Sequence, residues 1–217
     1  MNEEEGIGKV IDSVRSALNG TEFAHEIIIV DTNSKDRTTQ IAMELGAVVI
    51  DEPRRGYGRA YKTGFEKATG DVIATLDADC TYPAEDIPGL TRTLFEKDWD
   101  FITTNRFAKL EAGAMSLEHS LGNKVLTVTT NILFGVWIRD SQSGMWVFRR
   151  EILGKLDISN DGMAMSEEIK IEAFKKARGK ELPIVYRRRV GEVKLSSWKD
   201  GYQNVLFLFH KRMRFKK

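Results

Sequence analysis

Short β-branched runs alternate with segments of helical apolar spacing along most of the 217-residue chain, and no feature limits its fold more. Ile7, Val10, Ile11, Val14 and Leu18 recur at helical spacing, and Asn19-Gly20 stops that helix. Ile27-Ile28-Ile29-Val30 then reads as a strand buried on both faces. A helix over 36–45, a strand at 48–50, a helix over 57–68 and a strand at 72–76 follow, then a helix over 85–97 and a strand at 101–104. Strands joined to helices by short links predict right-handed crossovers and an α/β fold with a mostly parallel central sheet flanked by helices. The second half is less regular. Helices are expected over 114–134, 166–177 and 197–215, with strands at 144–148 and 182–186, and with Ser166 as a helix cap. No repeat or linker interrupts the pattern, so residues 1–217 are read as one domain.

Hydrophobic residues are 41% and charged residues 30%, with four prolines, which excludes disordered and collagen-like classes. Cys80 is the single cysteine, which excludes a disulfide framework and suits a reducing cytosol. No apolar run is long enough to span a bilayer, and the first residues lack the basic and apolar regions of a signal peptide. A soluble, cytoplasmic protein is expected. Its charge is unevenly placed. Ten cations against Glu192 and Asp200 give 186–217 a charge of +8, so with a net +1 the preceding residues carry −7. Such a basic end suits an anionic partner.

Ligands bind parallel α/β sheets outside the carboxyl ends of the strands. Asp31, Asp77 and Asp79 all fall at predicted strand ends, so three carboxylates line one edge. Asp77-Ala78-Asp79 can hold a hard divalent cation that also takes substrate phosphates. An Asp-x-Asp also arises as plain turn chemistry, and only its neighbours favour the metal. Gly56-Tyr57-Gly58-Arg59 opens a helix with free backbone N–H groups, an expected anion site. Its spacing matches neither a phosphate-binding loop of the Walker type nor a dinucleotide fingerprint.

Seven motifs together carry a resemblance. They are Asn2-Glu3-Glu4, Val30-Asp31-x-x-Ser34-x-Asp36-x-Thr38, Gly56-x-Gly58-x-Ala60-x-x-x-Gly64, Asp77-Ala78-Asp79, Asn105-Arg106-Phe107, Asp140-Ser141-Gln142-Ser143-Gly144 and Arg189-x-Gly191-Glu192-x-Lys194-Leu195. In order and coverage the chain resembles the inverting family 2 glycosyltransferases of the GT-A fold, and among them the polyprenyl- or dolichyl-phosphate hexose synthases.

The resemblance implies a donor of the GDP-mannose or UDP-glucose type, a polyprenyl or dolichyl phosphate acceptor, and Mg2+ or Mn2+ as cofactor. It assigns Glu3, Asp31 and Asp77 to the nucleotide. Asp77, Asp79 and Gln142 would hold the metal, and Arg106, Ser143, Arg189 and Lys194 would meet the acceptor phosphate. Asp79, Arg106 and Glu168 would be the catalytic set. A lipid phosphate is already an anion and needs no general base, whereas a hydroxyl acceptor would need one from the region of Glu167 and Glu168. Alternatives are a hydroxyl acceptor, a nucleotidyltransferase making the nucleotide-sugar, and a basic module binding membranes or nucleic acid. Nucleic acid is not the expected partner. The helix over 197–215 carries an apolar stripe with cations, including Lys211, around it, which suits peripheral contact with the cytoplasmic face of a membrane. The resemblance also places a buried strand before Asn2-Glu3. The expectation is therefore a gap or open sheet edge beside Ile27–Val30, and a gene that starts further upstream.

Overall fold

A computed structural model describes residues 1–191 and 197–215, with side chains undescribed over 197–200. The first half alternates as the apolar pattern requires: α1 (Ile7–Leu18), β1 (Ile28–Asp31), α2 (Thr38–Glu44), β2 (Val48–Asp51), α3 (Tyr57–Lys67), β3 (Val72–Ala74), α4 (Ile87–Glu96) and β4 (Phe101–Leu110). The second half adds α5 (Leu117–Phe134), β5 (Trp146–Arg149), α6 (Met165–Lys176), β6 (Gly179–Tyr186) and α7 (Ser197–Arg214).

The sheet is mixed rather than mostly parallel. Its order is β3-β5-β4-β6, with β5 antiparallel to both neighbours and β4 parallel to β6. Trp146-Val147-Phe148 is buried on both faces. Such a run has the same composition whichever way the strand points, so direction is set by the chain's route and not by local pattern. β1 and β2 form a separate parallel pair, so the expected discontinuity beside Ile27–Val30 is present.

Side-chain alternation divides the core. Ile102 and Val147 pack with Leu18, Leu90 and Leu94, the face covered by α1 and α4. Phe101, Trp146 and Phe148 point the other way, onto Phe65 of α3 and Met165 and Ile169 of α6. Helices therefore cover both faces, and α6 is the central one. Every residue from Met165 to Ala173 is buried, polar ones included. α5 and α7 pack outside it through Leu126, Phe134, Ile171 and Leu208.

Two helix starts differ from expectation. α5 begins at Leu117, where the Ser116 hydroxyl accepts from the His119 backbone N–H at 3.1 Å. α6 begins before Ser166, whose hydroxyl donates instead to the Ser143 carbonyl at 3.2 Å.

Candidate active site

The Asp77-Ala78-Asp79 turn leaves the sheet just beyond β3. The Thr75 hydroxyl anchors it to β5, donating to the Gly144 carbonyl at 2.8 Å and accepting from the Trp146 N–H at 2.9 Å. Gly6 lies directly against the turn: a Cβ there would sit 2.4 Å from the Ala78 carbonyl, so only glycine permits this approach. The N-terminal segment is held in turn by the loop after β1. Asn2 N–H donates to the Ser34 hydroxyl and Glu3 N–H to the Thr38 hydroxyl, each at 2.8 Å. Asp31 is buried and accepts from the Ser34 backbone at 2.8 Å and from the Ser34 hydroxyl.

Asp79 is buried, and its Oδ1 accepts from the Thr81 N–H (3.1 Å) and hydroxyl (2.6 Å). Its Oδ2 lies 3.2 Å from Arg189 Nη2, which also reaches Glu3 Oε1 at 3.2 Å. Backbone bonds from Arg187 N–H to the Thr81 carbonyl and from Val190 N–H to the Asp79 carbonyl, both 2.9 Å, fix that loop in place. Residues separated by 186 positions thus meet at one carboxylate cluster. Asp77 accepts from the Tyr61 hydroxyl at 3.3 Å. Burial, and then the Asp79 charge, push its carboxyl up to about 7. Two carboxylates held this close repel, and a hard cation relieves that repulsion. The pair fits a divalent ion completed by substrate phosphate oxygens.

Beside the turn, Arg106 of β4 is clamped by Asp140. Nε and Nη2 donate to the two carboxylate oxygens at 2.8 Å each, and the Arg106 backbone N–H donates at 3.0 Å. Burial alone would raise the Asp140 carboxyl, but the Arg106 guanidinium outweighs it and holds the group low. Lys170 of α6 closes the same region from below. Its Nζ donates to the carbonyls of Asp140 (3.1 Å), Ser141 (2.8 Å) and Ser143 (2.7 Å), and burial pushes it down to about 7.

The family model of Glycosyl transferase family 2 matches residues 1–157. The chain belongs to that family. It is 39% identical over 211 residues to the low-salt glycan biosynthesis hexosyltransferase Agl6 of Haloferax volcanii, covering 96% of this chain and 51% of that one. It is 32% identical over 200 residues to a dolichyl-phosphate hexose transferase of the same organism, covering 92% of this chain and 85% of that one. The chain thus spans about half the length of Agl6. Glucosyl-3-phosphoglycerate synthase from Mycobacterium tuberculosis superposes over the whole chain and 78% of its own, with a TM-score of 0.77 at 20% identity. That likeness establishes the GT-A fold.

In this glycosyltransferase the expected residues divide into two groups. Glu3, Asp77, Asp79 and Arg189 gather at the turn, with Asp31 at the end of β1, where it holds Ser34 of the loop that anchors the segment carrying Glu3. The others are committed inward. Ser143 is fully buried, its hydroxyl 2.7 Å from that of Thr104. The Gln142 amide donates to Glu167 and its carbonyl accepts from Asn204 at 3.3 Å, so both ends of a proposed metal ligand are occupied. Glu168 accepts from Ser159 N–H (3.0 Å), Asn160 N–H (2.8 Å) and Lys211 Nζ (3.0 Å). Lys194 lies outside the described residues.

The loop that Glu168 holds changes the reading of the glycine-rich helix start. Asp161 and Gly162 carbonyls accept from the Arg59 and Gly58 N–H groups at 3.0 and 3.2 Å, so protein carbonyls take the donors expected to meet an anion. Two features escaped sequence reasoning. Lys170 was hidden because a polar residue inside a wholly buried helix has no amphipathic signature. Tyr57 and Tyr61 were legible, since spacing of four residues puts both on one helix face, toward Asp77.

Proposed function

We propose that this glycosyltransferase moves a hexose from a nucleotide-diphosphate sugar to a polyprenyl or dolichyl phosphate, acting peripherally at the cytoplasmic face of a membrane. Among the described residues no helix is long and apolar enough to cross a bilayer. In this reading Glu3 and Asp31 meet the nucleoside, and Asp77 and Asp79 hold Mg2+ or Mn2+. When bound, the cation supplies Lewis-acid stabilisation of the charge that develops on the departing diphosphate. Arg189 bridges the donor carboxylates and the acceptor side, and with Lys194 it would draw in the acceptor phosphate. Arg106, held bidentately by Asp140, would present its remaining Nη1 edge to that phosphate.

The observation that carries the choice of acceptor is the state of the two acids on α6. Glu167 is fully buried and accepts from the Gln142 amide, and burial pushes its carboxyl up, so it is closed off from an acceptor hydroxyl. Glu168 is spent on Ser159, Asn160 and Lys211, which makes it a positioning residue. A hydroxyl acceptor needs a base, and neither acid supplies one; a phosphate needs none. The test incubates the protein with GDP-mannose or UDP-glucose, Mn2+ or Mg2+, and either a short polyprenyl phosphate or a sugar alcohol, with mass analysis of the products. Metal-dependent formation of a hexosyl-phosphopolyprenol is expected. Transfer to the hydroxyl acceptor alone, or transfer undiminished in excess chelator, overturns the reading.

A further inference from the structure

The loop over 138–144 joins α5 to β5 and belongs to no helix or strand, yet Ile138, Asp140, Ser141 and Ser143 are buried. Backbone groups taken from water without a ladder must be met by something else. Here side chains from three neighbouring elements meet them. Asn131 of α5 holds Ile138 by both main-chain groups, donating to its carbonyl at 2.8 Å and accepting from its N–H at 3.2 Å. Thr127, one turn earlier, accepts from the Ser141 N–H at 3.0 Å. Glu181 of β6 accepts from the Arg139 and Asp140 N–H groups at 2.9 Å each. Lys170 of α6 is fully buried and uses all three of its donors, on the carbonyls of Asp140 (3.1 Å), Ser141 (2.8 Å) and Ser143 (2.7 Å). One anion therefore takes N–H groups of the loop, and one cation fills its carbonyls.

A fully buried ammonium is costly, and an apolar side chain would suit the interior of α6 better if packing were all that mattered. What the loop carries supplies the reason. Asp140 must lie in the plane of the Arg106 guanidinium to accept from Nε and Nη2 at 2.8 Å each, and a small displacement loses one of the two bonds. We infer that Lys170 and Glu181 are positioning residues for transfer: they set the loop that, through Asp140, aims Arg106 at the acceptor. This rests on the acceptor role proposed for Arg106 above. The donor side has an anchor of its own, because Gly144 donates to the Tyr82 hydroxyl at 2.6 Å and accepts from the Thr75 hydroxyl at 2.8 Å. Loosening the loop at 139–143 therefore reaches the acceptor and spares the nucleotide.

The test compares the full chain with Lys170→Met, Glu181→Ala and Glu181→Gln, each studied below its own melting temperature. Three quantities are read: KM for a short polyprenyl phosphate, calorimetric affinity for the nucleotide with Mn2+, and amide hydrogen exchange over 138–144 by mass spectrometry. Lys170→Met and Glu181→Ala should each speed exchange in the loop and raise the acceptor KM roughly ten- to a hundredfold, with nucleotide affinity unchanged. Glu181→Gln should stay near wild type in all three, because one side-chain oxygen accepts from both N–H groups. Glu181 is only half-buried and water can replace it, so Glu181→Ala decides the matter if Lys170→Met does not fold. Wild-type acceptor KM or wild-type loop exchange in the folded variants overturns the inference. So does a parallel loss of acceptor and nucleotide affinity, which marks general loosening rather than positioning. Transfer by the wild type to a hydroxyl acceptor alone overturns the lipid-phosphate reading instead, and the same KM comparison with that acceptor then decides the role of the loop.

Discussion

Replacing Lys211 with methionine separates a buried strut from a surface cation. Lys211 is 7% exposed, and its Nζ lies 3.0 Å from Glu168 Oε1, 2.8 Å from Glu172 Oε1 and 2.7 Å from the Asp157 carbonyl. Methionine keeps the length and removes the charge. Breaking a buried ion pair by deleting one partner costs about 3–5 kcal/mol. Both carboxylates keep other partners: Glu172 retains Lys176 at 2.5 Å and the Asp157 N–H at 3.0 Å, and Glu168 retains Ser159 and Asn160. The loss therefore falls at the lower end, about 3 kcal/mol, or a melting temperature lower by roughly 6–12 °C for a chain of this size. Lys211→Met/Glu168→Gln should recover part of it.

The pH dependence has a definite sign. Burial would raise the Glu172 carboxyl, but the bonds from Lys176 and Lys211 outweigh it and hold it low. Its stabilisation is present above the ordinary value of 4.5 and is lost as pH falls through the depressed one. Burial would lower Lys211, but Glu172 and Glu168 outweigh it and hold it high. That contribution is complete below the ordinary 10.5 and is lost as pH rises through the raised value. The gap between wild type and Lys211→Met, followed by urea titration with circular dichroism, should be flat at mid-pH and shrink at both extremes. A variant within about 1 kcal/mol of wild type that loses vesicle binding would refute the buried pairing and restore Lys211 to the surface.

Three further outcomes are expected. Asp79→Asn should abolish metal-dependent transfer and lower the melting temperature, because asparagine still accepts from Thr81 but turns an amide N–H toward Arg189 in place of the ion pair; calorimetric titration of Mn2+ with the nucleotide, run below the variant's melting point, checks the loss. Arg106→Met should lower stability by about 3–5 kcal/mol, as it strands Asp140 in the interior, so acceptor affinity must be measured below the variant's own melting point. Gly58→Ala should destabilise by about 1–3 kcal/mol in urea titration, since its Cβ would lie 2.5 Å from the Asn160 carbonyl and 2.6 Å from Met165 Cβ.

Local pattern was enough for most elements. β-branched runs and helical spacing marked the strands from Ile28 to Phe101 and the helices between them, because each of those elements buries a face its own residues must supply. The carboxylates Asp31, Asp77 and Asp79 were legible as well, since turn chemistry at strand ends is a matter of adjacent residues. Tertiary structure decided the direction of β5, whose doubly buried residues read alike either way. It decided the length of β4, which runs on to Leu110 because Lys109 and Leu110 pair with Val185 and Tyr186. It decided, above all, which charges are spent. Arg106, Glu168 and Lys211 read as available ions in the sequence and Lys170 gave no signal, yet each is buried against partners 30 or more residues away or on a neighbouring element. Whether a charge faces solvent or a counter-charge depends on packing between distant segments, and no window of adjacent residues encodes that.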